Sequence, residues 1–254
     1  MFIDSHCHLD LLSEDMATVL ARAKNNNVQH ILNVCVKLAD FPAVLKTAIA
    51  HPNVSASVGL HPNEQEQVTV DQLVQLGQHP KVVAIGETGL DYFRSTGDLE
   101  WQREQFRTHI RAAKILKKPL IIHTRAAKED TIRILQEENA QAVAGVMHCF
   151  TEDLAIAEQA MAMGFAISFS GVVTFKNATA IQTVAKQIPL ERLLIETDAP
   201  YLAPEPYRGK PNEPAYVKHT AEYLARLRGE PIEVFAKQTT ENFFKLFTGA
   251  SHSR

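Results

Sequence analysis

Six residues of this chain combine metal-binding side chains with positions at the ends of short apolar runs typical of β-strands. Imidazole and carboxylate groups are the ligands that proteins use for many divalent metals. His6 and His8 are two residues apart, so in a strand both imidazoles point to the same face. A single His-x-His pair is common by chance, but further candidates at other strand ends make chance a poor explanation. The predicted metal ligands are His6, His8, Glu87, His123, His148 and Asp198.

The predicted ligands lie far apart in the sequence, so the fold must bring them together. The chain contains eight β-type runs, separated by stretches with helical spacing. The runs cover residues 2–6, 30–36, 54–61, 82–90, 119–125, 144–150, 166–171 and 193–200. Strands that alternate with helices indicate βαβ units and a parallel sheet. Eight such units in about 250 residues favour a single-domain TIM (β/α)8 barrel over residues 1–254, with the metal site at its C-terminal mouth. An open doubly wound sheet is the alternative, but residues 86–89 are too short and misplaced for its Gly-rich phosphate turn.

The segment after the eighth run is rich in proline and leads into helices. Residues 199–214 hold five of the twelve prolines, which stiffen the chain, so an ordered arm is predicted at the rim of the barrel. Helices are predicted over 217–228 and 231–237. Thr240 is predicted to cap a separate final helix, whose Phe243, Phe244 and Phe247 seal the outside or the base of the barrel.

Composition and charge restrict the class of protein. Hydrophobic residues make up 45% of the chain, enough for a substantial core, and the net charge of −3 provides no general attraction for polyanions. A nucleic-acid substrate would therefore need a local basic patch or bound metal. The first residues lack the features of a signal peptide, and no apolar run approaches the roughly 20 residues of a membrane span. We expect a cytoplasmic protein without membrane association, and a monomer because a closed barrel has no free sheet edge.

The cysteine pattern indicates reduced thiols. Cys7, Cys35 and Cys149 form no CxxC pair, and their odd number leaves one over. Cys7 and Cys149 each neighbour a predicted ligand, so strand alternation directs them away from the ligands, towards the helix layer. Both are predicted to be small core residues.

Seven motifs resemble, in order, those of the TatD-type metal-dependent deoxyribonucleases of the amidohydrolase superfamily. The resemblance covers nearly the whole chain, and every predicted ligand position agrees with the family pattern. The motifs are DSHCHLD at 4–10, GLHP at 59–62, GETGLDY at 86–92, PLIIHTR at 119–125, MHCF at 147–150, ETDAPYL at 196–202 and RGKPNEP at 208–214.

The resemblance implies a DNase, acting as a 3′-5′ exonuclease, that cleaves DNA phosphodiesters with water activated by two divalent ions. It assigns one ion to His6, His8 and Asp198, the other to His123 and His148, and the bridge between them to Glu87. Two ions roughly 3.5–4 Å apart can share a nucleophile and take charge off the phosphoryl oxygens. Glu87 and Asp198 are the predicted catalytic residues, with Asp198 as general base. Imidazoles suit Zn²⁺ or Mn²⁺, whereas the resemblance implies activity with Mg²⁺ or Mn²⁺.

Four residues near the predicted mouth are candidates for binding DNA, each with a simpler alternative. His61 could donate to a phosphate oxygen or bond to its own loop. Arg125, two residues after His123, could clamp a phosphate or pair with a rim carboxylate. Tyr201 could stack on a base, and Arg208 could follow the DNA backbone or be merely solvated.

A second class of enzyme remains open from the same residues. Two metal ions that activate water against a phosphodiester can also activate it against a carbonyl. The alternative function is therefore an amidohydrolase-type enzyme that cleaves a small ester, lactone or amide, and the absence of net positive charge keeps this alternative open.

Overall fold

Over residues 1–250, the sheet consists of eight parallel strands in the order in which they occur along the chain. The strands are β1 (Phe2–Cys7), β2 (Val28–Asn33), β3 (Val54–Val58), β4 (Val82–Asp91), β5 (Leu120–Arg125), β6 (Gly145–Met147), β7 (Ala166–Phe169) and β8 (Leu193–Ile195). The structure, a computed structural model, describes residues 1–250. Each strand pairs with the next, and the chain just beyond β8 returns to β1 through the parallel Cys7–Ala199 bridge. The predicted TIM barrel is therefore confirmed; residues 251–254 of the predicted domain lie outside the described part.

Helices follow the strands and form the outer layer. They are α1 (Met16–Asn25), α2 (Phe41–Ala50), α3 (Val70–Gly77), α4 (Glu100–Leu116), α5 (Lys128–Glu137), α6 (Leu154–Ala162), α7 (Thr179–Gln187), α8 (Val217–Arg228) and α9 (Ile232–Leu246). The sequence supplies start signals: the Asp15 side chain accepts the Thr18 N–H at α1, and Thr69 and Gln72 form a capping box at α3. Within residues 1–250, no helix has the length and apolar character needed to span a membrane.

Apolar side chains pack on both faces of the sheet. The larger cluster lies between the strands and the helices, where α4 contributes Phe106 and Ile110. The smaller cluster fills the barrel interior, where Ile3 and other residues near the N-terminal ends of the strands meet Phe243 and Phe247 of α9. Helix α9 therefore closes the base of the barrel, and the opposite, C-terminal mouth remains for polar side chains.

Five strands, β2, β3, β6, β7 and β8, end earlier than their apolar runs predict, and for three of them this affects a predicted site residue. β3, β6 and β8 end before positions 61, 148 and 198, so the side chains there project from loops. The backbone turns at these points: Cys149 has a φ of 43° and Asp198 a φ of 58°, both in the left-handed region. The turn also interrupts strand alternation. Cys7 is fully buried as predicted, but the prediction that Cys149 is a core residue was wrong, because its half-buried Sγ lies 3.2 Å from Ser170 Oγ.

The prediction that Thr240 caps a separate helix was wrong, because α9 is continuous from Ile232 to Leu246. Residues 237–240 contain no Gly or Pro that would end a helix. The Thr239 hydroxyl instead donates to the Phe235 carbonyl (3.0 Å), a bond that accommodates threonine inside a helix. Thr240 Oγ1 donates to the Met1 carbonyl (3.4 Å) and ties the helix to the start of β1.

A buried histidine of α4 holds the loop that carries His61. The Leu60 N–H donates to His109 Nε2 (3.0 Å), and His109 Nδ1 donates to the Gln105 carbonyl (2.8 Å). Burial lowers the pKa of His109 to about 4, below the value of about 6.5 in an unfolded chain. Protonation therefore favours the unfolded chain. The stabilisation from neutral His109 is complete above a pH of about 6.5 and is lost as the pH falls towards about 4.

We expect the advantage of the wild-type chain over His109→Gln in the free energy of unfolding to shrink by about 2 kcal/mol between pH 7 and pH 5. Denaturant unfolding of both chains at the two pH values measures this change. The metal-binding side chains are the same in both, so their own titration cancels. A difference that does not vary with pH would contradict the neutral, buried state of His109.

Candidate metal centre

The six predicted ligands converge at the C-terminal ends of the strands, around Glu87 of β4. Glu87 Oε1 lies 2.9 Å from His148 Nε2 and 3.0 Å from His123 Nδ1. Glu87 Oε2 lies 3.2 Å from His6 Nε2 and 3.8 Å from His8 Nε2. Each oxygen of this one carboxylate thus faces a different pair of imidazoles.

Asp198 joins the pair that faces Glu87 Oε2. Its Oδ1 lies 3.3 Å from His8 Nε2 and 3.6 Å from His6 Nε2. The left-handed turn at Asp198 is held by its N–H, which donates to the His6 carbonyl (2.9 Å). We call His6, His8 and Asp198 the first half-site, and His123 and His148 the second half-site; Glu87 lies between them.

Glycines let the strands that carry these residues approach closely. Gly86 and Gly89 flank the Glu87 segment with φ values of 140° and 136°. Residues that carry a Cβ rarely adopt such values. A Cβ on Gly89 would lie 2.0 Å from the His123 carbonyl oxygen, and a Cβ on Gly59 would lie 2.6 Å from the Gly86 backbone. The GETG motif therefore seats Glu87 directly against β3 and β5.

Hydrogen bonds fix which nitrogen of three ligand histidines faces the centre. In each ring, the nitrogen remote from Glu87 meets an oxygen that can only accept a hydrogen bond, so that nitrogen carries the proton. When a metal ion replaces the proton on the inner nitrogen, that nitrogen can direct its lone pair at the ion, as a metal ligand must. The three pairs are His8 Nδ1 with the Val34 carbonyl (2.9 Å), His123 Nε2 with Asp91 Oδ2 (3.3 Å) and His148 Nδ1 with Glu196 Oε1 (3.2 Å).

His61 differs from these three histidines, because its protonated nitrogen faces the centre. The Asn63 N–H donates to His61 Nδ1 (3.2 Å), so the proton of the neutral ring is on Nε2. This Nε2 lies 3.6 Å from Glu87 Oε1. By distance alone, His61 could therefore bind the same metal ion as Glu87 and His123. The bond from Asn63 instead makes His61 a hydrogen-bond donor that faces the centre.

The electrostatics of the centre fit a cation. Burial opposes the ionisation of Glu87, but the surrounding imidazoles hold its pKa well below the usual value. Burial likewise opposes protonation of His8 and His148, yet Asp198 raises the pKa of His8 to about 9, and Glu87 and Glu196 raise the pKa of His148 well above its usual value. Without metal, the carboxylates thus retain protons on these rings. A divalent ion bound by imidazole nitrogens and carboxylate oxygens would replace those protons.

The predicted substrate-binding residues lie at the rim. The Arg125 guanidinium lies 4.0 Å from the centroid of the exposed Phe93 ring, and within residues 1–250 it forms no ion pair with a rim carboxylate. Tyr201 is 55% exposed, with its ring 6.4 Å from the His8 ring. Arg208 lies on the proline-rich arm, 4.1 Å over the Phe175 ring.

Sequence reasoning missed two carboxylates of the centre, Asp91 and Glu196. Both are buried, and each accepts a hydrogen bond from a ligand histidine. Asp91 is four residues after Glu87 on β4, so strand alternation could have placed both on one face. Glu196 precedes Asp198 by two residues, but no local signal showed that its partner is 48 residues away at His148.

Comparisons with known proteins agree with this geometry. The family model for TatD related DNase matches residues 3–248. An uncharacterized metal-dependent hydrolase of Buchnera aphidicola is 47% identical over 98% of this chain and 97% of its own, and YcfH of Escherichia coli, with the same description, is 45% identical over 96% and 95%. The crystal structure of the TatD homologue YjjV from E. coli superposes with a TM-score of 0.88 at 31% identity, over 97% and 98% of the two chains. The chain therefore belongs to the TatD-related DNase family of metal-dependent hydrolases.

Proposed function

We propose that this chain is a deoxyribonuclease that removes nucleotides from the 3′ ends of DNA by hydrolysing phosphodiester bonds. The observation that carries the proposal is the position of Glu87, whose two oxygens face the two half-sites separately. This arrangement supports a centre of two divalent ions, which would supply an activated water and offset charge on the phosphoryl oxygens. The description of the matching family, TatD related DNase, supports DNA as the substrate.

Asp198 and His61 are the residues that we assign to proton transfer and to substrate polarisation. Asp198 is 14% exposed at the mouth while its Oδ1 contacts the first half-site, so it can accept a proton from the attacking water and release it to solvent. His61 presents its Nε2–H towards the second half-site and donates to a phosphoryl oxygen.

The rim supplies contacts for DNA that the net charge of −3 does not. Phe93 and Tyr201, 65% and 55% exposed, follow β4 and β8 and offer aromatic surfaces on which bases can stack. Arg125, held over Phe93, binds a phosphate, and Arg208 extends the contact along the arm. One chain carries all these groups, so a monomer suffices to act on transiently bound DNA.

The metal is proposed from the ligand chemistry. Four imidazoles favour Zn²⁺ or Mn²⁺ over Mg²⁺, which prefers oxygen ligands and retains its waters. We expect the metal-free protein to bind Zn²⁺ and Mn²⁺ more tightly than Mg²⁺ in equilibrium titrations. Anomalous scattering from crystals of the protein as purified would identify the native ion, and tighter binding of Mg²⁺ would contradict this order.

Labelled DNA provides the test of the activity. Metal-loaded protein is incubated with single-stranded and duplex DNA, labelled at either end, and in parallel with a panel of small esters, lactones and amides. We expect nucleotides to be released from the 3′ end, and we expect this release to stop with EDTA, to return on metal add-back and to be absent in His123→Ala. Ester turnover without nucleotide release would favour the alternative function, and release from the 5′ end would contradict the proposed polarity.

Replacing His61 separates its role from that of the ligands. We expect His61→Ala to lower turnover by about 10²–10³-fold, the cost of losing one donor to a developing charge, with the amount of bound metal unchanged. His61→Gln, which retains an N–H donor, should recover part of the loss. Metal analysis and steady-state kinetics of the two variants measure both effects. Loss of one bound ion in His61→Ala would make His61 a ligand instead.

A further inference from the structure

The ligand histidines of the two half-sites have different outer partners. In the second half-site, His123 and His148 each donate their outer N–H to a buried carboxylate, from Asp91 and Glu196. In the first half-site, the outer nitrogen of His8 meets the neutral Val34 carbonyl. The outer nitrogen of His6 is buried without a hydrogen-bond partner among residues 1–250. Among the described residues, hydrogen bonds from the outer ring nitrogens to carboxylates are therefore confined to the second half-site, although a Glu196 oxygen also lies within 4.8 Å of a His6 ring nitrogen.

This asymmetry complements the inner ligands. The first half-site contains a carboxylate of its own, Asp198, whereas the second contains two imidazoles, which carry no charge as metal ligands, and shares Glu87. An imidazole whose outer N–H is bonded to a carboxylate is a more basic ligand and is fixed in one orientation. In the first half-site, Asp198 would place negative charge directly beside an ion. In the second half-site, the negative charge of Asp91 and Glu196 would act on the ion through the histidine rings.

Glu196 fixes both the ring and the backbone of its partner. Its Oε1 accepts from His148 Nδ1 (3.2 Å) and from the Cys149 N–H (2.8 Å), which holds the left-handed turn directly after the ligand. Its Oε2 has no hydrogen-bond partner among the described residues. A glutamine at this position can keep the accepting oxygen for both donors, so Glu196→Gln retains these two hydrogen bonds while it removes the charge and replaces Oε2 by an NH₂ group.

Asp91 serves the same purpose for His123 but has additional structural contacts. Its Oδ1 accepts the N–H groups of Phe93 and Arg94, and its Oδ2 accepts from Asn63 as well as from His123. Replacing Asp91 would therefore disturb the loop after β4 together with the ring. Glu196 is the better position for a test.

We propose that Glu196 and Asp91 are positioning residues that selectively strengthen the binding of metal in the second half-site, by holding His148 and His123 with their inner lone pairs directed at the ion. The inference rests on the two-ion centre proposed above and is independent of the substrate. It predicts that loss of the Glu196 charge weakens one of two ions and acts only through His148.

Zinc titration of the metal-free protein against a chromophoric chelator tests this. We expect the wild-type chain to bind two Zn²⁺ and Glu196→Gln to weaken one of the two steps by about 10–100-fold, leaving the other step unchanged. In a His148→Ala background, the added Glu196→Gln change should cause no further loss. Glu64→Gln is the control, because the Glu64 side chain pairs with Lys37 and, within the described part of the chain, contacts no ligand histidine. This control variant should bind both Zn²⁺ ions with the same affinities as the wild-type chain.

The NMR signal of the His148 ring proton gives a second readout, whose first part uses the wild-type protein alone. In the zinc-loaded wild-type protein, His148 Nδ1–H should give a downfield, slowly exchanging signal typical of a bond to a carboxylate. This signal should move upfield in Glu196→Gln, while the His8 Nδ1–H signal, bonded to the Val34 carbonyl, stays in place. Absence of the His148 signal in the wild-type protein would overturn the inference even if Glu196→Gln failed to fold.

The remaining outcomes separate this inference from the proposed function. Equal weakening of both zinc steps by Glu196→Gln, or the same loss in the His148→Ala background, would overturn the selective role while leaving the two-ion centre intact. A wild-type chain that binds a single Zn²⁺ would overturn both the two-ion centre and this inference.

Discussion

Glu87→Gln is expected to bind fewer than two ions per chain and to lose nearly all turnover. Among residues 1–250, Glu87 is the one carboxylate whose two oxygens face both half-sites, within 3.8 Å of His6, His8, His123 and His148. An amide presents one neutral oxygen and one N–H₂ group to these imidazoles, so it cannot hold two cations at once. A metal centre supplies several kcal/mol to a hydrolytic transition state, so turnover should fall on the order of 10³-fold.

Metal analysis and nuclease kinetics of Glu87→Gln measure both parts of this prediction. Glu64→Gln is a matched control, since Glu64 is also near the mouth but pairs with Lys37 instead of the imidazoles. It should retain both ions and ordinary turnover. Full metal occupancy in Glu87→Gln, together with ordinary activity, would refute the bridging role.

Asp198→Asn is expected to lower turnover by about 10²–10⁴-fold, the usual contribution of a general base. An asparagine has the same shape and can keep the N–H bond to the His6 carbonyl, but it cannot accept a proton from water. The first half-site should also bind its ion less tightly, because Asp198 Oδ1 faces both of its histidines.

Excess metal distinguishes the two effects of Asp198→Asn. If Asp198 transfers a proton, turnover remains low when the first half-site is saturated, and the KM for DNA changes little. Recovery of wild-type turnover at high metal concentration would show that Asp198 is a ligand alone. Asp71→Asn, in the exposed first turn of α3, is the control and should match the wild type under both conditions.

The barrel and the six clustered side chains could be predicted from the sequence for reasons of local geometry. Alternating strand and helix signals in a chain of this length favour one closed parallel barrel, and parallel strands place all their C-terminal ends on one face. Residues such as Glu87 and His123, which end apolar runs, must then meet at that face. The site could be predicted because few side-chain types bind metals and because strand ends are recognisable.

Predictions from local sequence patterns were wrong at strand ends and within the last helix. The left-handed turns at Cys149 and Asp198 end β6 and β8 early, and apolar runs carry no signal for such turns. The continuous helix α9 was also missed, because a threonine such as Thr240 suits either a cap or a helix interior that offers a bonding partner. In both cases tertiary contacts decided between conformations that the sequence allows.

The sequence by itself determined the fold class and which side chains meet at the mouth, because both follow from spacing along single strands. Only the tertiary structure decided what each histidine does there. The tautomer of His61 depends on the hydrogen bond that the Asn63 N–H donates to it, and that of His148 on the bond that Glu196 accepts from it. Glu196 lies 48 residues from His148 in the chain. Such bonds form only after the barrel closes, so the division into two half-sites, and the carboxylates behind one of them, belong to the three-dimensional structure.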